Sequence, residues 1–138
     1  MTRLYMLDTN TVSYILKGAS PAARGRLTSL APNESACVSS ITEGELWYGL
    51  ERIGAGDRRR HALQSFLRRI GILPWGSEEA MAYGAFRARQ EALGLSLGPL
   101  DTQIVAHAIA VGAVLVSNDN AFQHAAGLPG LEAWATDL

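Results

Sequence analysis

The 138-residue sequence predicts an α/β fold with a largely parallel sheet, on three observations. Short apolar runs alternate with segments of helical period along the whole length, and the runs end in polar, turn-forming residues. No repeat, low-complexity tract or linker interrupts them. The length and the 48% apolar composition fit one domain over residues 1–138, able to bury roughly two thirds of its unfolded surface.

Leu4 to Leu7 reads as a strand stopped by Asp8-Thr9-Asn10, and Thr11 to Leu16 as a helix ended by Gly18. Pro21 suits the first turn of a helix reaching Leu30, and Pro32-Asn33 breaks it before a second strand, Ala36 to Ser39. Ser40 to Ile53 is helical and is broken by Gly54-Ala55-Gly56. Asp57 is expected to cap the next helix, in which Leu63, Phe66, Leu67 and Ile70 form one buried stripe. A third strand at Ile72 to Trp75 precedes a long helix opened by Ser77-Glu78-Glu79 and ended at Gly94. Pro99 starts a helix with Asp101 in its first turn, and Gly112 ends it. Ala113 to Val116 is then a continuous apolar strand running into Ser117-Asn118-Asp119, and Leu131 to Trp134 is a last strand.

Composition narrows the function classes. The longest apolar run, Ile104 to Val116, is interrupted by His107 and Gly112 and falls short of the roughly 20 residues that span a bilayer. Asp8 leaves no room for a secretory apolar region, so a soluble cytoplasmic protein without membrane contact is expected. Cys37, the only cysteine, excludes an intramolecular disulfide and reads as a small core residue. The net charge of -1 hides a segregation: all 12 Lys and Arg lie at or before Arg89, and the remainder carries acids only. A basic first part suits a polyanion, whereas acids elsewhere suit a cation.

Four acids carry the chemical signal. Ligands of parallel sheets bind beyond the carboxyl ends of the strands, and Asp8 and Asp119 each follow a predicted strand. Glu45 and Asp101 lie near the starts of helices that leave or approach the same rim. Crowded carboxylates repel unless a divalent cation compensates them, and an all-oxygen set suits Mg²⁺ or Mn²⁺. Bland readings compete for each acid. Asp8 and Asp119 suit caps or turns, and Asp101 suits the helix dipole. Thr42-Glu43-Gly44-Glu45 matches a capping box that would consume Glu45, but Ser40-Ile41-Thr42-Glu43 matches one too, with Ser40 as the cap and Glu45 left free. Spacing does not choose between these boxes. His61, His107 and His124 show no paired ligand spacing and read as structural or surface residues.

The segments YMLDTN (5–10), VSSITEGELWYG (38–49), LGPLDTQIVAHA (97–108) and LVSNDNAF (115–122) together resemble the PIN-domain VapC toxins across nearly the whole chain. The resemblance implies a three-layer α/β/α fold, Mg²⁺- or Mn²⁺-dependent cleavage of RNA by activated water, and inhibition by a small VapB-like antitoxin. By position it assigns catalysis and metal binding to Asp8, Glu45, Asp101 and Asp119, with Thr9 and Ser117 orienting carboxylate or water. Ala121 stands where many relatives carry a further acid, which argues against a fully occupied second metal site. The opening and middle motifs look most like the branch that cuts initiator tRNA in the anticodon region. A homodimer is also implied, in keeping with Trp47, Tyr48 and Leu50 spreading apolar surface around one helix.

An acidic pocket does not itself attract RNA. Arg58, His61, Ser65 and Arg68 align on one face of the helix opened by Asp57, so Arg58 and Arg68 are candidate phosphate contacts, set against an ordinary solvated face. Two rival functions remain at this point. Asp8-Thr9-Asn10-Thr11-Val12 nearly fits the D-x-D-x-[TV] motif of haloacid-dehalogenase-like phosphatases, but Asn10 replaces the acid-base Asp. A non-catalytic metal- or protein-binding module of PIN fold is the other, and four intact acids count against it.

Overall fold

The computed structural model describes residues 2–138, to which all element counts refer. The first apolar run forms the central strand β1 (Arg3–Leu7), followed by α1 (Thr9–Lys17), α2 (Pro21–Thr28) and β2 (Glu34–Ser39). Next come α3 (Ser40–Arg52), α4 (Asp57–Arg69), β3 (Gly71–Leu73) and α5 (Ser77–Ala92). The chain closes with α6 (Pro99–Val111), β4 (Val114–Val116), a 3₁₀ turn at Asn120–His124 and β5 (Leu131–Glu132). The strands form one sheet in the order β3-β2-β1-β4-β5, and every pairing is parallel.

Period-two alternation along the strands sets the layers. Tyr5, Leu7, Val38 and Val116 join a core with Val12 and Ile15 of α1, Leu46 of α3, and Leu63 and Leu67 of α4. Their sequence neighbours pack on the opposite face. Met6 and Cys37 meet Ala108, and Leu115 meets Phe86 of α5 with Ile104 and Val105 of α6. Each such buried Leu, Val or Phe contributes about 1.5–3 kcal/mol relative to exposure, which fixes the strand register and the three-layer α/β/α arrangement. Burial also pushes the Cys37 thiol up to about 12, so it stays protonated and inert in the core.

Topology then places the site. From β1 the chain builds outward through β2 and β3, then crosses to the other side of β1 for β4 and β5. The order reverses between β1 and β4, and in open parallel sheets ligands bind beyond the carboxyl ends of the strands at such a switch point.

The structure corrects several local expectations. Neither Ser40 nor Thr42 caps α3: the cap is Ser39, whose Oγ accepts from Ile41 N at 3.1 Å. Ser39 lies in extended backbone at the end of β2, so strand and helix join without a linker. Such a cap contributes about 1 kcal/mol. Glu43, expected to close a box, instead accepts from Trp47 Nε1 at 3.2 Å one turn on. Asp57 is the first residue of α4 rather than its cap, which is Gly56; its charge still complements the helix dipole. Likewise α5 is capped by Gly76, whose N–H donates to Glu79 Oε1 at 2.8 Å. The last strand stops at Glu132, because Trp134 turns inward to pack on Tyr5 with ring centroids 5.3 Å apart. Trp47 and Leu50 pack partly into the core, whereas Tyr48 is 66% exposed.

Candidate active site

Asp8 follows β1 and caps α1, its Oδ1 accepting from Thr11 N at 2.8 Å. The bland and the functional readings of this residue are therefore compatible, because a cap engages one carboxylate oxygen and leaves the other. Two bonds knit this corner to the adjacent strand: Asp8 N donates to Val116 O at 3.0 Å, and Thr11 Oγ1 to the same carbonyl at 3.3 Å. Asp8 is thereby held at the switch point, nearly buried at 9% exposure.

Asp119 comes from the loop after β4, three residues past Val116. Its backbone N–H donates to Ser117 Oγ at 3.0 Å, and its Oδ1 accepts from Ala121 N at 2.9 Å. Asn118 fastens the same loop with an amide pair, donating to Ala135 O at 2.8 Å and accepting from Ala135 N at 3.3 Å. Glu45 lies one turn into α3, and Thr9 Oγ1 donates to its Oε1 at 3.1 Å across 36 residues of sequence. Both hydroxyls singled out in the sequence thus touch the acids, Thr9 at a carboxylate oxygen and Ser117 at the backbone.

Asp101 sits in the first turn of α6. Its carboxyl is pushed above the usual carboxylate range, first by burial and then by the negative charges of Asp119, Glu45 and Asp8. Asp119, Glu45 and Asp8 are thus each within electrostatic reach of Asp101. None of them is in an ion pair among the described residues, where the carboxylates in salt bridges are Glu34, Glu51, Glu91 and Glu132. The side chains of Asp8, Glu45, Asp101 and Asp119 offer oxygen donors only, and no Lys or Arg pairs with them among the described residues.

Those properties fit a hard divalent cation. Among the described residues, no three or more His, Cys, Asp or Glu side chains stand close enough together to hold a metal ion as they are placed. Mg²⁺ does not require such a cluster, since it keeps several waters and takes few carboxylates.

A further contact ties the two helices bearing Glu45 and Asp101. His107 of α6 is fully buried, and its Nδ1 lies 2.7 Å from Ser39 Oγ, the cap of α3. Ser39 Oγ also accepts from Ile41 N, and the ring tautomer sets which of Ser39 and His107 donates. Burial lowers the His107 pKa, opposed in part by the charge of Glu79, and favours a neutral ring. Nothing in sequence spacing signals this pair, whose members are 68 residues apart. Arg58 and Arg68 are both exposed on α4 and stand in no ion pair among the described residues.

Comparison with known proteins identifies the family and the fold. A PIN domain family model matches residues 5–128. Ribonuclease VapC2 of Haemophilus influenzae is 37% identical over 115 residues, covering 83% of this chain and 86% of its own. The chain belongs to the VapC branch of the PIN-domain family. Another VapC, the tRNA(fMet)-specific endonuclease of Salmonella typhimurium, is 34% identical over 83% of this chain and 86% of its own. Among solved structures, VapBC2 of Rickettsia felis, bound to a DNA fragment from its promoter, superposes with a TM-score of 0.88 at 34% identity. It covers 95% of this chain and 98% of its own. DNA-bound VapBC of Salmonella typhimurium gives a TM-score of 0.86 at 32% identity, covering 97% and 99%. The all-parallel sheet described above is thus the PIN fold of the VapC structures.

Proposed function

We propose that this chain is the endoribonuclease toxin of a toxin–antitoxin pair, with Asp8, Glu45, Asp101 and Asp119 as its cation-binding and catalytic acids. The observation that supports the reading is that Asp8 follows β1 and Asp119 follows β4 at the switch point, with Asp101 raised by the charges of Asp119, Glu45 and Asp8. When bound there, Mg²⁺ or Mn²⁺ relieves charge on the phosphoryl oxygens and lowers the pKa of water. The chain's own groups set the geometry. Asp8 presents its free oxygen from a rigid cap, Thr9 bonds the Glu45 carboxylate, Ser117 holds the Asp119 backbone, and Asp101 feels the charges of the other three acids. Water attacking phosphorus in line with the 3′ oxygen breaks the P–O3′ bond, so the leaving oxygen takes up a proton as a 3′-hydroxyl and the phosphate stays on the 5′ end. The test is incubation of purified protein with small cellular RNA. Cleavage is expected with Mg²⁺ or Mn²⁺ and none with a chelator, while a phosphomonoester stays intact. Absence of RNA cleavage under all of these conditions would favour a non-catalytic module of the same fold.

The tRNA specificity of the Salmonella relative makes initiator tRNA the first substrate to try. The VapBC complexes make a VapB-like antitoxin the expected partner in the cytoplasm. No helix among the described residues is long and apolar enough to cross a membrane. A homodimer is also proposed, supported by exposed apolar side chains such as Met81 at 76% and Leu93 at 59% on the α5 side. Light scattering at micromolar concentration should then give twice the 14.8 kDa chain mass; a strict monomer would refute it.

A further inference from the structure

A groove of about 770 Å³ begins at Thr9 and Glu45 and runs between α1, α3 and α4. Its walls include Lys17, Tyr48, Arg52 and Arg59. All four side chains are exposed. Glu45, Tyr48 and Arg52 are spaced i, i+3 and i+7 on α3, so they fall on one stripe of that helix, leading away from the acids. Tyr48 is the outlier in the local packing: the flanking Trp47 and Leu50 enter the core, yet its ring stays 66% exposed.

The cations differ in what explains them. Lys17 and Arg52 lie in the last turns of α1 and α3, where positive charge is favoured by the helix dipole. Arg59 lies in the first turn of α4, where it is disfavoured, and adjoins two more arginines. Arg60 is accounted for by Glu51 at 2.7 Å and by Ala55 O at 3.0 Å. Arg59 has no such partner among the described residues, nor do Lys17 and Arg52. In a chain of net charge -1, three unpaired cations and an exposed aromatic ring thus line a groove that opens on a catalytic carboxylate.

We infer that this groove seats single-stranded RNA on one side of the scissile phosphate, with Tyr48 stacking on a base and Lys17, Arg52 and Arg59 contacting the backbone. The inference rests on the nuclease reading and adds the path of the substrate to it. Charge complementarity selects a polyanion as occupant, and an exposed ring beside a basic track is the combination that holds unpaired bases without reading their sequence. The outer face of α4, with Arg58 and Arg68, offers charge but only the smaller imidazole of His61 as a ring.

The test uses the full chain carrying Asp8→Asn, so that RNA binds without being cut. Affinity for a labelled single-stranded oligoribonucleotide is measured across a salt series in Mg²⁺ buffer. Lys17→Ala, Arg52→Ala and Arg59→Ala should each reduce the slope of log affinity against log salt by about 0.7. Tyr48→Ala should weaken binding about tenfold at every salt concentration with the slope unchanged, and Tyr48→Phe should restore it. All four positions are exposed, so these variants leave the core intact. Unchanged binding in every groove variant overturns the proposal and leaves the groove to a protein partner. Slope changes in Arg58→Ala and Arg68→Ala equal to or larger than those in the groove overturn it as well. Parallel assay of the intact protein separates the two levels: no Mg²⁺-dependent cleavage refutes the nuclease reading and this inference together, whereas cleavage with unaltered groove binding refutes the groove alone.

Discussion

Asp8→Asn is expected to lower Mg²⁺-dependent RNA cleavage by more than about 100-fold while leaving the protein folded, since losing even a partner of a metal ligand typically costs 10–100-fold. The structural reason for choosing Asn is the double duty of this carboxylate. Oδ1 of Asp8 accepts from Thr11 N to start α1, and an Asn amide oxygen accepts the same bond. Asn and Asp rank together as caps, so stability should change by no more than about half a kcal/mol. The substitution removes the negative charge and puts an N–H₂ donor where the free carboxylate oxygen stood. Asp8→Ala is the informative contrast, because it loses both functions: activity falls equally, and the missing cap costs about 1 kcal/mol in a denaturant melt. Cleavage at the wild-type rate by the Asn variant in excess Mg²⁺ would show that Asp8 is only a cap.

Much of the fold was legible because its signals are local. Asp8-Thr9-Asn10 after an apolar run, Pro21 and Pro99 in first turns, and Gly18 and Gly112 in left-handed backbone at helix ends each act within a few residues. The misplaced boundaries arise where tertiary packing decides. Ser39, Ser40 and Thr42 are nearly equivalent as caps by local chemistry; Ser39 wins because β2 runs to its backbone and His107 arrives from α6 to bond its hydroxyl. Trp134 satisfies a strand pattern but gains more by stacking on Tyr5 and Arg26, the latter 5.2 Å from its ring. The 3₁₀ turn after Asp119 carries no periodic pattern and escaped notice.

The proposed site is legible in the sequence only in part. Position after a strand pointed to Asp8 and Asp119 directly, and the parallel topology then required them to share a rim. Glu45 and Asp101 needed the family resemblance, since a helical acid near a first turn is ambiguous by itself. What the sequence could not display was contact between distant segments: Thr9 on Glu45, Ser39 on His107, and the groove that gathers Lys17, Arg52 and Arg59 from three helices. Sequence reasoning found cationic residues aligned within one helix, because only that alignment is visible without the fold.

The crowding that makes the site useful should also make it a liability without a cation. Asp101 has a folded-state pKa raised by burial and by Asp119, Glu45 and Asp8, so the folded protein binds this proton more tightly than the unfolded chain does. The sign follows directly. Below the ordinary carboxylate range Asp101 is protonated in both states and contributes no penalty. As pH rises from that range through the raised folded value, the charged form is disfavoured in the folded state and stability is lost. Asp101→Asn removes the penalty, so in chelator at neutral pH the variant should melt at a higher temperature than the wild type, and the gap should close in acid. Mg²⁺ should invert the order. A ligand at one hundred times its dissociation constant stabilises by about 2.7 kcal/mol, a melting shift on the order of 10 °C for a chain of this size. The wild type should show that rise and Asp101→Asn little of it, with cleavage lost in parallel. Calorimetry of both proteins with chelator and with Mg²⁺ reads all four values, and a variant that melts below the wild type in chelator, or that gains equally from Mg²⁺, would remove Asp101 from the cation site.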